Sequence, residues 1–226
     1  MWTIPRMWEG GRCIIIGGGP SLTTQFDIPK DIVDKVRGKE LGPSSYSPYL
    51  KSIHDEHVIA VNMAYKLGPW IDCAFFGDAS FMAKCRDDLF LYKGLRITCN
   101  QRPQMHNSYL KIIDRDKSKP KGISFQPNKV SWNGNSGAAS INLAVHFGVK
   151  QILLLGFDMT LDERQNQHWH KFYVSNPKNV QTTFKRHLAG FPIIAKDLAG
   201  KVEIINCNPD SQITCFPKAN IKDYFK

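Results

Sequence analysis

His168-Trp169-His170 holds two histidines on one short stretch, ten and twelve residues after Asp158. Histidine is the side chain best suited to take a proton from a sugar hydroxyl near neutral pH. An H-x-H pair beside Asp158 and Asp162 also has the makings of a metal site, although the spacing fixes no third ligand, and exposed loop histidines without a role are common. Far upstream, Gly17-Gly18-Gly19-Pro20-Ser21-Leu22 suits a different task. Glycine lets backbone N–H groups crowd a phosphate with no Cβ in the way, and a helix start behind such a loop adds partial positive charge. Gly17 and Gly19 fit the dinucleotide fingerprint G-x-G-x-x-G, but Leu22 stands where its third glycine belongs. Asn133-Gly134-Asn135-Ser136-Gly137 is a second candidate anion or ribose site at a helix start, with a plain N-cap as the alternative reading. Asp114-Arg115-Asp116 has the form of a metal-holding D-x-D, but it sits among lysines in a polar stretch and reads as a solvated charge cluster. Asn206-Cys207-Asn208-Pro209-Asp210-Ser211 spells a turn that also presents amide groups to a base or ribose.

These residues need a scaffold, and the apolar runs supply it. Cys13–Ile16, Val58–Val61, Ile71–Phe76, Gly94–Cys99, Gln151–Leu155 and Val202–Ile205 are strand-length and nearly uninterrupted, as strands buried on both faces are. Between them, Ser136–Phe147 repeats apolar residues at helical spacing, capped by Asn135 or Ser136 and stopped at Gly148. Asn179–Leu188 has Val180, Phe184 and Leu188 on one face, and Pro192 breaks or restarts it. Strand and helix in alternation predict one α/β domain: an open parallel sheet with helices on both faces. The polar residues that follow the strands, Gly17–Ser21, Asn62, Asp78, Gly156 to Asp158 and Asn206–Ser211, then share the edge where such sheets bind ligands. Gly38–Tyr49 reads as a surface loop, and the basic stretch 112–130 as an insertion, either a solvated loop or a lid.

The 226 residues suit a single domain with a substantial core. Lysine and arginine outnumber aspartate and glutamate by 30 to 20, a net charge of +10 that favours anionic partners: nucleotide, nucleic acid, lipid headgroup or acidic glycan. Six cysteines without C-x-x-C spacing argue against a zinc finger; Cys13, Cys73 and Cys207 read as small buried hydrophobes, which suits a reducing, intracellular setting. No apolar run reaches the length of a membrane span and no signal-peptide core is visible, so a soluble, cytoplasmic protein is expected.

Taken in order, G-G-G-P-S-L, Asn62, Asp78-Ala79-Ser80, S-G-A-A-S-I-N-L-A, L-L-L-G-F-D-M and N-C-N-P-D-S resemble the family 42 sialyltransferases. They are also similar to small phage-encoded proteins and to the archaeal 6-hydroxymethylpterin pyrophosphokinase group, which share a Rossmann-like core. The resemblance implies that Gly17, Gly18, Gly19, Pro20 and Ser21 line the nucleotide phosphate or sugar and that Asn62 and Asp78 bind the donor. It further implies that Asn135, Ser136 and Gly137 touch donor phosphate and ribose, that Gly156 and Asp158 meet the nucleoside, and that Asn206, Asn208 and Ser211 meet the base. His170 or His168 matches the family's general base. The sialyltransferases have asparagine where this chain has Gly18, which removes a side-chain contact to the nucleotide sugar, and where it has Asp78, which disfavours a carboxylate sugar donor. The implied activity is a nucleotide-sugar-dependent glycosyltransferase with no obligatory metal, acting on DNA, a bacterial glycan or another anionic acceptor, in the host cytoplasm if phage-encoded. The alternatives are a magnesium-dependent pyrophosphokinase acting on a pterin-like alcohol and a nucleotide-binding module without turnover.

Overall fold

The computed structural model describes residues 2–101, 109–172 and 179–225; the remaining positions of the 1–226 span lie outside the described residues. In chain order the regular elements are β1 (Arg12–Ile16), α1 (Ser21–Gln25), α2 (Lys30–Gly38), β2 (His57–Val61), β3 (Cys73–Phe76), α3 (Ala79–Leu91), β4 (Leu95–Thr98), β5 (Lys111–Ile112), β6 (Asp114–Arg115), β7 (Lys129–Val130), α4 (Ser136–Phe147), β8 (Gln151–Leu155), α5 (Val180–Leu188), α6 (Phe191–Leu198) and β9 (Glu203–Asn206). Seven strands form one sheet in the order β5-β4-β3-β2-β1-β8-β9, and every pairing in it is parallel.

The apolar runs are continuous because each strand is covered twice. Ile14 and Ile16 of β1, Val58 and Ala60 of β2 and Leu153 and Leu155 of β8 pack on one face with Leu22, Val36 and Phe81 from α1, α2 and α3. The alternate residues Cys13, Ile15, Ile59, Leu154 and Ile204 pack on the other with Ile141 and Phe147 of α4 and Ile194 of α6. The expected Rossmann-like α/β architecture with helices on both faces is therefore the one observed. From β1 the chain steps outward through β2 to β5, then crosses back to lay β8 on the other side of β1. Strand order thus reverses between β1 and β8, where Ile16 and Leu155 lie in register. At such a switch point the strand ends open a crevice.

α4 begins and ends where the sequence predicts. The Asn135 side chain accepts from the Ala138 N–H at 2.8 Å, and Gly148 closes the helix in the left-handed region at φ 94°. Asn179 caps α5 in the same way, and Pro192 sits in the first turn of α6. Cys13, Cys73 and Cys207 are buried, all six cysteines are free, and burial pushes these three thiols up. Among the described residues, no helix is long and apolar enough to cross a membrane.

Two segments differ from expectation. Gly38–Tyr49 is not all surface loop: Pro43–Ile53 forms a 3-10 helix that buries Tyr46, Leu50 and Ile53, with the Tyr46 ring edge-on to Trp169. Glycine, proline and serine dominate its composition, and they mask the three large residues that anchor it. The basic stretch from 112 is also built into the fold. β5 extends the main sheet, while β6 and β7 pair with each other and bury Ile113, Ile123 and Val130 between them and the core.

Candidate functional site

A cavity of about 620 Å3 opens at the carboxyl edge of the sheet, at the β1/β8 switch point, within the usual range for a small-molecule site. Its floor is Gly17 and Gly18 after β1 and Gly156 and Phe157 after β8. Packing demands glycine at this floor. A Cβ on Gly17 would lie 2.7 Å from the Gly156 carbonyl oxygen, and one on Gly18 would lie 2.7 Å from Nδ1 of His168. The loop is also pinned from outside, because the Trp169 N–H donates to the Gly18 carbonyl at 3.0 Å and its indole Nε1–H to the Gly17 carbonyl at 3.0 Å.

Behind the floor, Asp158 closes off the start of α1. Its carboxylate accepts from the Ser21 N–H at 2.8 Å, from the Ser21 hydroxyl, and from Nδ2 of Asn208 at 2.8 Å. A carboxylate therefore already sits where the α1 amides would meet a phosphate. Asn206 and Ser211 donate to the Phe157 carbonyl at 3.2 and 2.6 Å, and both are buried. So Gly19, Pro20, Ser21, Asp158, Asn206, Asn208 and Ser211 lie behind the cavity wall, in a network that ties the β1, β8 and β9 ends together. They do not line the cavity. Gly17, Gly18, Asn62, Asp78, Asn135, Ser136, Gly137, Gly156, His168 and His170 do.

The start of α4 forms a further wall of the cavity. Ser136 accepts through its hydroxyl from the Gly77 N–H at 3.2 Å, docking the helix on the end of β3. The first N–H groups of this twelve-residue helix have no intrahelical acceptor, and the helix dipole adds positive potential there. Asn62 follows β2 with φ 52°, an uncommon conformation for a residue other than glycine. Its Oδ1 is buried without a partner, and the residue lines the cavity. Asp78 is exposed and also lines the cavity.

Three imidazoles share the cavity. His168 stacks on His170 with ring centroids 5.4 Å apart and planes 6° off parallel, its Nδ1 3.3 Å from the Gly18 carbonyl oxygen. His170 is buried edge-on against Trp169, and its Nδ1 has no partner. Burial, with His168 and Arg37 adding to it, lowers His170 to about 3. The third, His187, comes from the last turn of α5 and is lowered to about 4 by burial, with Arg186 and His168 adding to it. At neutral pH both His170 and His187 are uncharged.

Sequence reasoning missed His187, Arg186, Arg115 and Trp132, all of which line the cavity. The pair from α5 reads in sequence as ordinary basic residues at a helix end. Arg115 hides in the D-R-D triplet, whose expected solvated character does not hold: Asp116 is 4% exposed and accepts from Ser118, Lys119 and Ser124. Those bonds hold its carboxyl down at about 2. They brace the turn after β6, and Arg115 reaches back to donate to the Gly77 carbonyl at 2.6 Å and the Cys99 carbonyl at 3.1 Å, its guanidinium 3.7 Å over the Trp132 ring. Among the described residues, no group of three His, Cys, Asp or Glu side chains is placed to hold a metal ion.

No family model matches the sequence, and no curated protein matches it. Solved structures do. The sialyltransferase CstII from Campylobacter jejuni, in complex with cytidine-5'-monophosphate, is 13% identical over 92% of this chain and 84% of its own, with a TM-score of 0.50. The MAf glycosyltransferase from Magnetospirillum magneticum AMB-1 is 8% identical with a TM-score of 0.57; 98% of this chain is covered but only 36% of that one. The chain therefore spans about a third of the Magnetospirillum protein. Both likenesses are likenesses of fold.

Proposed function

We propose that the protein is a glycosyltransferase that uses a nucleotide sugar as donor, with residues 1–226 acting as one nucleotide-binding domain. The observation that carries this reading is the convergence, at a switch-point cavity, of the α4 amides, two guanidinium groups and three imidazoles, two of them neutral. The shared fold of a sialyltransferase solved with cytidine-5'-monophosphate and of a second glycosyltransferase supports the donor class. In this reading the nucleoside lies over Gly17, Gly18 and Gly156, its phosphate meets the start of α4 and Arg186, and Asn62 accepts from a donor hydroxyl or amino group.

The acceptor hydroxyl oxygen attacks the anomeric carbon, and the bond from that carbon to the phosphate oxygen breaks. The nucleotide leaves with the bonding electron pair, stabilised by the fixed N–H dipoles of α4. The hydroxyl proton passes to an imidazole, for which His187 is best placed. It stands in the last turn of α5, where the helix carbonyls favour the imidazolium. Asn135 Nδ2 also donates to its carbonyl at 3.3 Å, tying it to the phosphate wall. His170 is sealed against Trp169, and His168 is engaged with Gly18; both serve better as wall than as base. The free cysteines agree with a cytoplasmic setting, which is part of the proposal.

The test is donor turnover by purified protein and by the single variants His187→Ala, His168→Ala and His170→Ala. A loss of at least tenfold for His187→Ala that exceeds the other two is expected. A larger loss at His168 or His170, with His187→Ala near wild type, moves the base to that residue.

A further inference from the structure

A second surface lies on the α6 side, built from residues that take no part in the cavity. The turn between β6 and β7 presses on α6 at Gly122, where φ is 85° and a Cβ would lie 2.9 Å from the Ile193 side chain. Three residues further along the same turn Phe125 is 56% exposed, and Ile193 on α6 is 38% exposed. Lys201 and Lys119 bring their amines to 5.1 and 5.7 Å from the Phe125 ring centroid. Ile193 and Asp197 lie one turn apart on α6, and Lys201, past the end of the helix, donates through Nζ to the Asp197 carbonyl at 3.0 Å. Asp197 on that face is neutralised, because Lys119 bridges it at 2.8 Å and the Ile123 N–H donates to it at 2.8 Å. Lys117 and Lys121 in the same turn and Lys196 on α6 are also exposed.

We propose that this face docks on the surface of an anionic lipid bilayer. Phe125 and Ile193 enter the boundary between headgroups and acyl chains, and the lysines around them meet headgroup phosphates. Two apolar side chains standing out from a ring of amines fit that layered chemistry, in which apolar contact and charge attraction act together. A single-stranded nucleic acid fits it less well. Bases stack on open ring faces, whereas here two amines crowd the Phe125 ring and Ile193 offers no plane. The net charge of +10 draws the protein towards such a surface, and the patch decides how it lands.

The experiment is co-sedimentation of the full chain with vesicles of phosphatidylcholine alone and of phosphatidylcholine and phosphatidylglycerol in equal parts. Binding to the mixed vesicles only is expected. Phe125→Ser keeps the charge and alters an exposed position, so it folds, and it is expected to weaken binding at least fivefold. Lys201→Glu is expected to weaken it further, at about fivefold for each unit of charge at the membrane surface. Lys35→Glu, an equal charge change on α2 across the sheet, is expected to leave binding within twofold. Phe125→Trp is expected to show a blue-shifted emission on mixed vesicles alone. The proposal is overturned if Phe125→Ser binds as wild type does, if Lys35→Glu weakens binding as much as Lys201→Glu, or if the protein ignores both vesicles while binding a single-stranded oligonucleotide. None of these readouts depends on transferase activity.

Discussion

Replacing Trp169 with phenylalanine tests whether this residue holds the glycine floor of the cavity in place. Its side chain is fully buried, packs edge-on against Tyr46 and His170, and donates from Nε1 to the Gly17 carbonyl at 3.0 Å. Phenylalanine keeps the apolar ring but cannot donate, which leaves a buried carbonyl short of a partner at a cost of roughly 1–2 kcal/mol. The smaller ring leaves a void worth about 1 kcal/mol more. The expected loss is therefore about 2–3 kcal/mol, or roughly 5–10 °C in Tm for a chain of this size. Urea unfolding followed by far-ultraviolet circular dichroism measures it as a lower midpoint at unchanged slope. Because the pinned carbonyls belong to Gly17 and Gly18, the variant is also expected to lose most of any thermal stabilisation by nucleotide. A stability within about 0.5 kcal/mol of wild type, the range of ordinary surface changes, would refute the pinning role.

Protonation gives a second set of expectations. His170 and His187 are lowered to about 3 and about 4 in the folded chain, against about 6.5 when unfolded, so the unfolded state binds protons first as pH falls. Stability is expected to be level above about pH 6.5 and to fall between there and pH 4, by up to roughly 1.4 kcal/mol per pH unit for each imidazole; His170→Gln should flatten that slope by one proton. An anionic ligand reverses the preference, so nucleotide is expected to bind more tightly at pH 6 than at pH 8, with proton uptake visible by calorimetry in buffers of different ionisation enthalpy. Arg115→Lys keeps a charge but loses the planar fork on the Gly77 and Cys99 carbonyls, and is expected to raise KM for the donor about tenfold and to lower Tm by a few degrees. Asp116→Asn removes a carboxylate held at about 2, whose contribution is present above its unfolded value near 4 and lost as pH falls through 2. It should cost about 1–2 kcal/mol at pH 7 in urea unfolding, a cost that shrinks as pH falls from 4 towards 2.

The parallel sheet was legible because burial on both faces leaves no room for polar residues in Cys13–Ile16 or Ile152–Leu155, and α4 because Asn135 and Gly148 mark its two ends with distinct chemistry. From those elements followed the sheet edge and ten of the cavity-lining residues. What stayed hidden depends on long-range contact. Nothing local tells that the Asp158 carboxylate turns back onto Ser21 instead of facing a ligand, or that Arg115 crosses from β6 to the end of β3. Tyr46, Leu50 and Ile53 were obscured by the proline and serine between them. His187 and Arg186 enter the site because α5 ends beside α4, a matter of packing that helix periodicity does not encode.

The most direct test of the central claim is nucleotide release from a panel of nucleotide sugars, measured in excess chelator for wild type and His187→Ala. Wild type is expected to cleave one donor without added metal, and the variant to cleave it at least tenfold more slowly. If wild type turns over none of the donors, or transfers a phosphate from ATP only when magnesium is restored, the glycosyltransferase reading is contradicted.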